Sequence, residues 1–89
     1  MSEKEIEKYL VRKVKLSGGM SYKFVSPGNA GVPDRIVLLP NGAMFFIELK
    51  SPKGKVRPIQ RNQIDRILAM GQMVYVADSV EKIDAIINQ

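Results

Sequence analysis

The spacing of apolar side chains at the start of the chain predicts a helix from residue 2 to about residue 16. Ile6, Leu10 and Val14 recur at helical spacing, so they share one face. Ser2 is a good N-cap, and Glu5 occupies the capping-box position three residues later. A Ser-Gly-Gly sequence at residues 17–19 ends this helix.

Three apolar segments that follow are predicted to be strands, and they span Met20–Val25, Arg35–Leu39 and Ala43–Lys50. The residues between the first two strands, 26–31, form a turn-rich loop. The sequence Pro40-Asn41-Gly42 is typical of a hairpin loop. The second and third strands are therefore expected to pair in antiparallel orientation.

The remaining third of the chain predicts a helix, a strand and a final helix. Pro58 suits the first turn of a helix that runs to Met70, with Gly71 as its C-cap. Met73–Ala77 is predicted to be a strand. Because a helix connects the third strand to the fourth, these two strands are expected to be adjacent and parallel.

The final helix completes the order α-β-β-β-α-β-α in a single domain of residues 1–89. Asp78 is predicted to cap this helix, with Glu81 in the capping-box position. The third strand is apolar on both sides, which indicates that both faces of the sheet are covered. The sequence therefore predicts an α/β fold with a central mixed sheet flanked by helices.

The composition restricts the chemistry that such a domain can perform. The chain has no cysteine and no histidine, which excludes disulfides, thiolate catalysis and the commonest transition-metal ligands. Any metal site must use carboxylate and carbonyl oxygens, which suit Mg²⁺ or Mn²⁺. The net charge of +5 indicates an anionic partner, with nucleic acid favoured over a membrane surface. No run of about 18 apolar residues exists, and the N-terminus is unlike a signal peptide, so we expect a cytoplasmic protein.

A carboxylate and an ammonium group end the otherwise apolar third strand. Glu48 and Lys50 are two residues apart, so their side chains share one face of the sheet. If residues 40–42 form a three-residue hairpin loop, Asp34 lies directly opposite Glu48. Side chains in such a pair have Cβ atoms roughly 4.5–5.5 Å apart. Two carboxylates this close repel each other unless a cation lies between them.

Lys50 completes a set of groups that suits phosphodiester hydrolysis. A hard cation held by two carboxylates can activate water, and a lysine beside it can stabilise charge that develops on the phosphate. The alternative is an ordinary strand end at which Glu48 and Lys50 pair only with each other. The Pro33-Asp34 sequence across the hairpin favours the catalytic interpretation.

These residues resemble the PD-(D/E)xK nuclease motif, in which Pro33-Asp34 precedes Glu48-Leu49-Lys50. The surrounding sequence resembles the VRR-NUC branch of that superfamily in its small stand-alone phage form, and the segment from Glu3 to Lys50 also resembles archaeal Holliday junction resolvases. The resemblance implies a restriction-endonuclease-like core. The other matching stretches are Glu3–Ile6, Lys23–Gly28, Gly31–Arg35, Arg57–Gln60, Gly71 and Val74–Val76.

The resemblance also implies roles for individual residues. Asp34 and Glu48 would bind a divalent metal, with the backbone carbonyl of Leu49 as a further ligand. Lys50 corresponds to the motif lysine. A glutamine in the following helix corresponds to Gln60, with Gln63 one turn later as the second choice.

A glutamate on the first helix is also expected at the site, and helix geometry selects among three candidates. Glu3 lies near the middle of the apolar face, Glu7 lies toward its edge, and Glu5 points away. We therefore expect Glu3 to be a catalytic and metal-binding residue, with Glu7 second. The alternative is that Glu3 only favours the positive end of the helix dipole.

Basic residues after the motif are candidates for DNA contacts that do not read sequence. The group consists of Lys53, Lys55, Arg57 and Arg61, which lack an obvious internal partner. Ser26, in the loop before Asp34, is a further candidate, although an exposed turn explains it equally well. A second basic patch on the first helix is either a further contact or a solvated helix face, and its members are Arg12, Lys13 and Lys15.

We therefore predict a Mg²⁺- or Mn²⁺-dependent DNA endonuclease that selects branched DNA by shape, with four-way (Holliday) junctions favoured. Such junctions are symmetric and require paired cuts, which a two-fold homodimer supplies. Two alternatives remain open. One is a nonspecific or restriction-like nuclease with the same chemistry, and the other is a basic DNA-binding module without catalysis.

Overall fold

The computed structural model describes all residues from 1 to 89, and its order of elements is the one that the sequence predicts. The elements are α1 (Glu3–Leu16), β1 (Met20–Lys23), β2 (Arg35–Leu38), β3 (Met44–Leu49), α2 (Pro58–Ala69), β4 (Val74–Ala77) and α3 (Val80–Ile87). No helix is both long enough and apolar enough to cross a membrane.

The four strands form one mixed sheet in the order β1-β2-β3-β4. β1 and β2 are antiparallel, β2 and β3 are antiparallel, and β3 and β4 are parallel, as the helical connection between them requires. In the hairpin, Arg35 pairs with Ile47 and Leu38 pairs with Met44. The Leu39 amide donates to the Ala43 carbonyl at 2.9 Å, which closes a three-residue loop. The predicted hairpin register is therefore confirmed.

One face of the sheet carries the hydrophobic core, and helices α1 and α3 cover it. This face receives the odd-numbered side chains of β2 and β3, because successive side chains of a strand point to opposite faces. The buried residues are Val37, Phe45, Ile47, Leu49 and Ala77 from the sheet, Ile6, Leu10 and Val14 from α1, and Ile83, Ile86 and Ile87 from α3.

The opposite face is covered only in part. Helix α2 packs beside β4 and buries Ile64, but its remaining apolar residues are more exposed. On the β1 and β2 side, Met20, Tyr22 and Met44 are 52%, 55% and 47% exposed. We call this region the apolar sheet face, and cross-strand pairing defines it as Met20, Tyr22, Ile36, Leu38, Met44 and Phe46.

The predicted capping of α1 is confirmed, whereas the C-cap of α2 is Met70, one residue before the predicted Gly71, and the N-cap of α3 also differs. The Ser2 hydroxyl accepts from the Glu5 amide at 3.1 Å, and the Glu5 carboxylate accepts from the Ser2 amide at 2.9 Å. Gly71 follows the cap residue of α2 with a φ of 82°, a conformation that suits glycine. The prediction that Asp78 caps α3 is wrong. Ser79 is the cap, because its hydroxyl accepts from the Lys82 amide.

Candidate active site

The hairpin brings Asp34 and Glu48 to the same end of the sheet. Asp34 immediately precedes β2, and the register of the hairpin extends to place it opposite Glu48. Its Oδ2 accepts a hydrogen bond from the Leu49 amide at 2.8 Å. This contact anchors the Asp34 side chain to the strand that carries Glu48, so the two carboxylates have a defined relation.

Glu48 is the most buried charged residue of the chain, with 2% of its surface exposed. Its Oε2 accepts from the Gln60 side-chain amide at 2.8 Å and lies 3.4 Å from the Lys50 ammonium. Its Oε1 is buried and has no hydrogen-bond partner in the protein. A buried oxygen without a partner is rare, because the lost hydration costs free energy. This atom is therefore the place where an additional partner would be most favourable.

The electrostatics of the site favour a bound cation. Burial, together with the neighbouring carboxylate of Asp34, raises the pKa of Glu48 to about 7. Lys50 opposes this shift through its charge and its hydrogen bond, and Glu3 adds to it. Near neutral pH, Lys50 alone therefore does not balance the negative charge of the carboxylates at the site.

Helix α2 holds Gln60 in position. Gln60 is 7% exposed, and its Oε1 accepts from the Arg57 amide at 2.9 Å while its amide group donates to Glu48. Gln63, the second choice from the sequence, donates instead to the Ala30 carbonyl at 3.3 Å. The structure therefore brings Gln60, and not Gln63, against Glu48.

The two candidate glutamates of α1 have different partners. Glu7 accepts from the Arg35 guanidinium at 2.9 Å, so its charge is already compensated. Glu3 forms no ion pair, and its charge reaches Glu48. The expectation that Glu3 would lie on the buried stripe is wrong, because burial begins one turn later at Ile6 and Glu3 is exposed. Arg35, which binds Glu7, was not among the residues expected at the site, although its place beside Asp34 could have indicated it.

The basic residues after β3 differ in their pairing. Lys53, Lys55 and Arg57 are exposed and form no ion pair. The expectation that Arg61 lacks an internal partner is wrong, because its guanidinium lies 2.8 Å from Asp65, one helical turn later. Ser26 accepts a hydrogen bond from the Asn29 side chain within its own loop.

The first helix also differs from its sequence interpretation. In the predicted patch of Arg12, Lys13 and Lys15, Lys13 lies 3.7 Å from Asp84 of α3. Lys13 therefore belongs to an interhelical contact rather than to an unpaired basic patch.

The residues present meet some requirements of a Mg²⁺ or Mn²⁺ site. The available donors are carboxylate and carbonyl oxygens, and Glu48 Oε1 is unpartnered. However, no three carboxylates are gathered closely enough to form a complete metal cluster. The fit is therefore that of two opposed carboxylates, Asp34 and Glu48, at the strand end that Leu49 closes, with Glu3 near enough for its charge to act on Glu48.

Known proteins that resemble this chain identify its family and fold. The sequence model of the VRR-NUC domain family matches residues 3–81 of the chain. A protein of Acyrthosiphon pisum secondary endosymbiont phage 1, named "Putative nuclease p44", is 52% identical over 77 residues, which cover 86% of this chain and 83% of that protein. A solved structure described as a VRR_NUC domain superimposes with a TM-score of 0.88 at 31% identity, covering 98% of this chain and 95% of that one.

A restriction-endonuclease-like hairpin that ends in Asp34 and Glu48-Leu49-Lys50 defines the class of nucleases with a PD-(D/E)xK motif. Within that class, the chain belongs to the VRR-NUC family. The family and the order of elements predicted from the sequence are both confirmed.

Proposed function

We propose that the protein is a Mg²⁺- or Mn²⁺-dependent endonuclease that hydrolyses phosphodiester bonds in branched DNA. The observation that carries the proposal is the buried Glu48, which faces Asp34 across the hairpin and keeps one oxygen without a partner. Lys50 compensates only part of the charge of this carboxylate pair, and a buried oxygen without a partner is costly, so a functional reason for it is expected.

Each residue of the site would have a distinct role in phosphodiester hydrolysis. Asp34, Glu48 and the Leu49 carbonyl would hold a divalent ion, with Glu3 beside them. When bound, this ion would act as a Lewis acid that polarises the phosphate and activates water. The Leu49 amide keeps Asp34 oriented, and Gln60 keeps Glu48 in one orientation. Lys50, 3.4 Å from Glu48, would place its charge next to the phosphate as negative charge develops.

The size of the domain supports recognition by DNA shape. The elements of the structure are one four-stranded sheet and three helices joined by loops, and the loop after β3 carries basic residues rather than a base-reading element. Unpaired basic residues in the loop between β3 and α2 suit contacts to the phosphate backbone, which carry no sequence information. Four-way junctions are the favoured substrate, because two sites of a symmetric dimer would cut two opposed strands.

The test compares cleavage of four DNA substrates of matched sequence, with and without divalent metal. Linear duplex, a single-stranded flap, a three-way junction and a four-way junction are incubated with 5′-labelled strands in about 5 mM Mg²⁺, in the same concentration of Mn²⁺, or in EDTA. We expect cleavage only with metal, and junctions cut at least about tenfold faster than linear duplex. That ratio would correspond to roughly 1.4 kcal/mol of transition-state discrimination.

Two results would contradict the proposal in whole or in part. Equal rates on all four substrates would indicate a nonspecific or restriction-like nuclease. Binding to DNA without cleavage under any metal condition would contradict the enzymatic function and leave a basic DNA-binding module.

We also propose that the apolar sheet face mediates a homodimer. This face contains no charged side chain, so two copies can meet there without repulsion between molecules that each carry a net charge of +5. Its exposed members Met20, Tyr22 and Met44 form the kind of contiguous apolar surface that marks an interface. The active site lies at the edge of the same face, because Glu48 and Phe46 point to the same side of β3.

The dimer is tested by sedimentation velocity of the wild type and of two lysine variants. We expect a species of about twice the 10.0 kDa chain mass for the wild type and a monomer for Met44→Lys, because two buried ammonium groups would oppose association. Leu16→Lys is the control, since Leu16 is 79% exposed and lies outside the apolar sheet face. A monomeric wild type at tens of micromolar, or dissociation by both variants, would contradict this interface.

A further inference from the structure

A strongly basic groove lies outside the candidate active site, between the outer side of α1 and the strands β1 and β2. Its volume is about 450 Å³, and six of its eight lining residues are basic. We call it the α1 groove. Its basic residues are Lys4, Lys8, Arg12, Lys15, Lys23 and Arg35.

The pairing of charges distinguishes this groove from an ordinary solvated surface. Of the 14 Lys and Arg residues, five form ion pairs and nine do not. Five of those nine line the α1 groove, three more lie in the loop between β3 and α2, and the last is Arg66. The only carboxylate in the groove, Glu7, is already bound by Arg35. The unpaired positive charge of the chain is therefore concentrated beside the site and along this groove.

The tertiary structure makes the groove a single surface rather than a helix face. Lys23 of β1 and Arg35 of β2 are directly paired across the sheet, and α1 supplies the other four basic residues. From Lys4 to Lys15, α1 extends about 16 Å, at 1.5 Å per residue. Phosphates follow one another at roughly 3.4 Å of helix axis along each DNA strand. The groove is therefore long enough for a polyanion and much longer than a single phosphate group.

The groove adjoins the candidate active site at the end of the sheet, because Lys4 follows Glu3 and Arg35 follows Asp34. Lys23 and Arg35 point to the side of the sheet that α1 covers, whereas Asp34 and Glu48 point to the opposite side. A phosphate backbone that passes the carboxylates would therefore reach the groove by turning around this end of the sheet. An anionic membrane fits less well, because Val11 is the only apolar side chain that lines the groove. Surface helices that bind membranes need a substantial apolar face.

We propose that the α1 groove binds the sugar-phosphate backbone of the DNA segment that leads away from the cleaved bond. The identification of the anion as DNA rests on the proposed function. The groove contributes affinity and orientation by counterion release, and it contributes no base recognition.

The test measures equilibrium binding of a fluorescent 30-base-pair duplex and of a four-way junction in EDTA, over a range of KCl concentrations. The variant Lys8→Ala/Lys15→Ala removes two exposed charges of the groove. The control Lys82→Ala/Arg66→Ala removes two charges outside both basic surfaces, so both variants lower the net charge equally. Circular dichroism melting shows that each variant is folded before binding is compared.

We expect the groove variant to bind about tenfold more weakly at 0.1 M KCl and to reduce the slope of log K against log[KCl] by 1–2, since each lost phosphate contact removes about 0.9. The control should keep the wild-type slope. At saturating DNA, the cleavage rate of the groove variant should remain near that of the wild type, because the groove binds backbone and contacts no reacting group.

Three outcomes would overturn the proposal. The first is an equal loss of DNA binding in both double variants, and the second is an unchanged salt slope in the groove variant. The third is a groove variant that keeps its DNA binding but loses binding to vesicles that contain phosphatidylserine. Failure of the proposed nuclease function is a separate result, because it would appear as absent cleavage while the binding measurements in EDTA remain interpretable. A wild type that binds no DNA would contradict both proposals.

Discussion

Replacement of Glu48 by glutamine is expected to abolish metal-dependent cleavage while making the protein more stable at alkaline pH. The substitution keeps the shape of the side chain and an acceptor for the Gln60 amide, but it removes the negative charge from the buried site. Cleavage should fall by at least about a thousandfold, since the charge that would hold the metal and its substrate is lost. Single-turnover cleavage of labelled junction DNA in Mn²⁺ measures this effect.

The stability effect follows from the raised pKa of Glu48. Between its ordinary pKa of 4.5 and its value of about 7 in the folded protein, the folded state holds a proton that the unfolded state has released. The free energy of unfolding therefore falls as the pH rises through this window. The carboxylate is about nine-tenths ionised at pH 8, and its cost to stability there is on the order of 3 kcal/mol. The net gain in Glu48→Gln should be about 1–2 kcal/mol, because Lys50 loses its counter-charge.

Urea unfolding at pH 5 and pH 8, in EDTA and in Mg²⁺, measures that gain. The wild type should lose stability from pH 5 to pH 8 in EDTA and recover it with Mg²⁺, whereas Glu48→Gln should show neither change. Glu81→Gln is the control, because Glu81 is exposed in the first turn of α3. Cleavage by Glu48→Gln within tenfold of the wild-type rate would contradict the assigned role of Glu48.

Replacement of Gly31 by alanine is expected to destabilise the protein strongly and to disturb the site through α2. Gly31 has a φ of 90°, which side chains rarely adopt, and a Cβ there would lie 2.7 Å from the Ile59 carbonyl oxygen. Ile59 belongs to the first turn of α2 and immediately precedes Gln60, so relief of the clash displaces the group that holds Glu48. We expect a loss of about 3 kcal/mol, from strain and from the clash together.

Gly28 provides a matched control for the conformational part of that loss. Its φ is 82°, but a Cβ at this position meets no atom within 4 Å. Gly28→Ala should therefore cost only about 1 kcal/mol. Thermal unfolding should then give a decrease of roughly 12–24 °C for Gly31→Ala and 4–8 °C for Gly28→Ala. Equal decreases would mean that close packing of Gly31 against α2 contributes nothing to stability.

The fold was largely predictable because its determinants are local. The capping box of Ser2 and Glu5 and the three-residue hairpin loop depend on residues within a few positions of each other. The hairpin loop then sets the register, so the facing positions of Asp34 and Glu48 also follow from the sequence. The cap of α3 was mispredicted because Asp78 and Ser79 are both good N-caps and only the path of the chain selects between them.

The environment of the site was less predictable, because it depends on residues that are distant in sequence. Helical geometry placed Glu3 and Glu7 near one apolar face, but the choice between them depends on Arg35, which binds Glu7 from a strand 28 positions away. The pairing of Arg61 with Asp65 could have been predicted from their spacing of four residues on α2. The contact of Lys13 with Asp84 could not, because it depends on the packing of α1 against α3.

The sequence by itself therefore determined the order of the elements, the hairpin that opposes two carboxylates and the hard-oxygen chemistry of any metal site. Only the tertiary structure decided how those groups are used. The buried environment of Glu48 includes Gln60 of α2, which folding brings from another element, and the α1 groove requires three elements to meet. The physical reason is the separation of the interacting residues along the sequence. Turns and caps depend on neighbouring residues, whereas desolvation and charge pairing depend on every group that folding brings near.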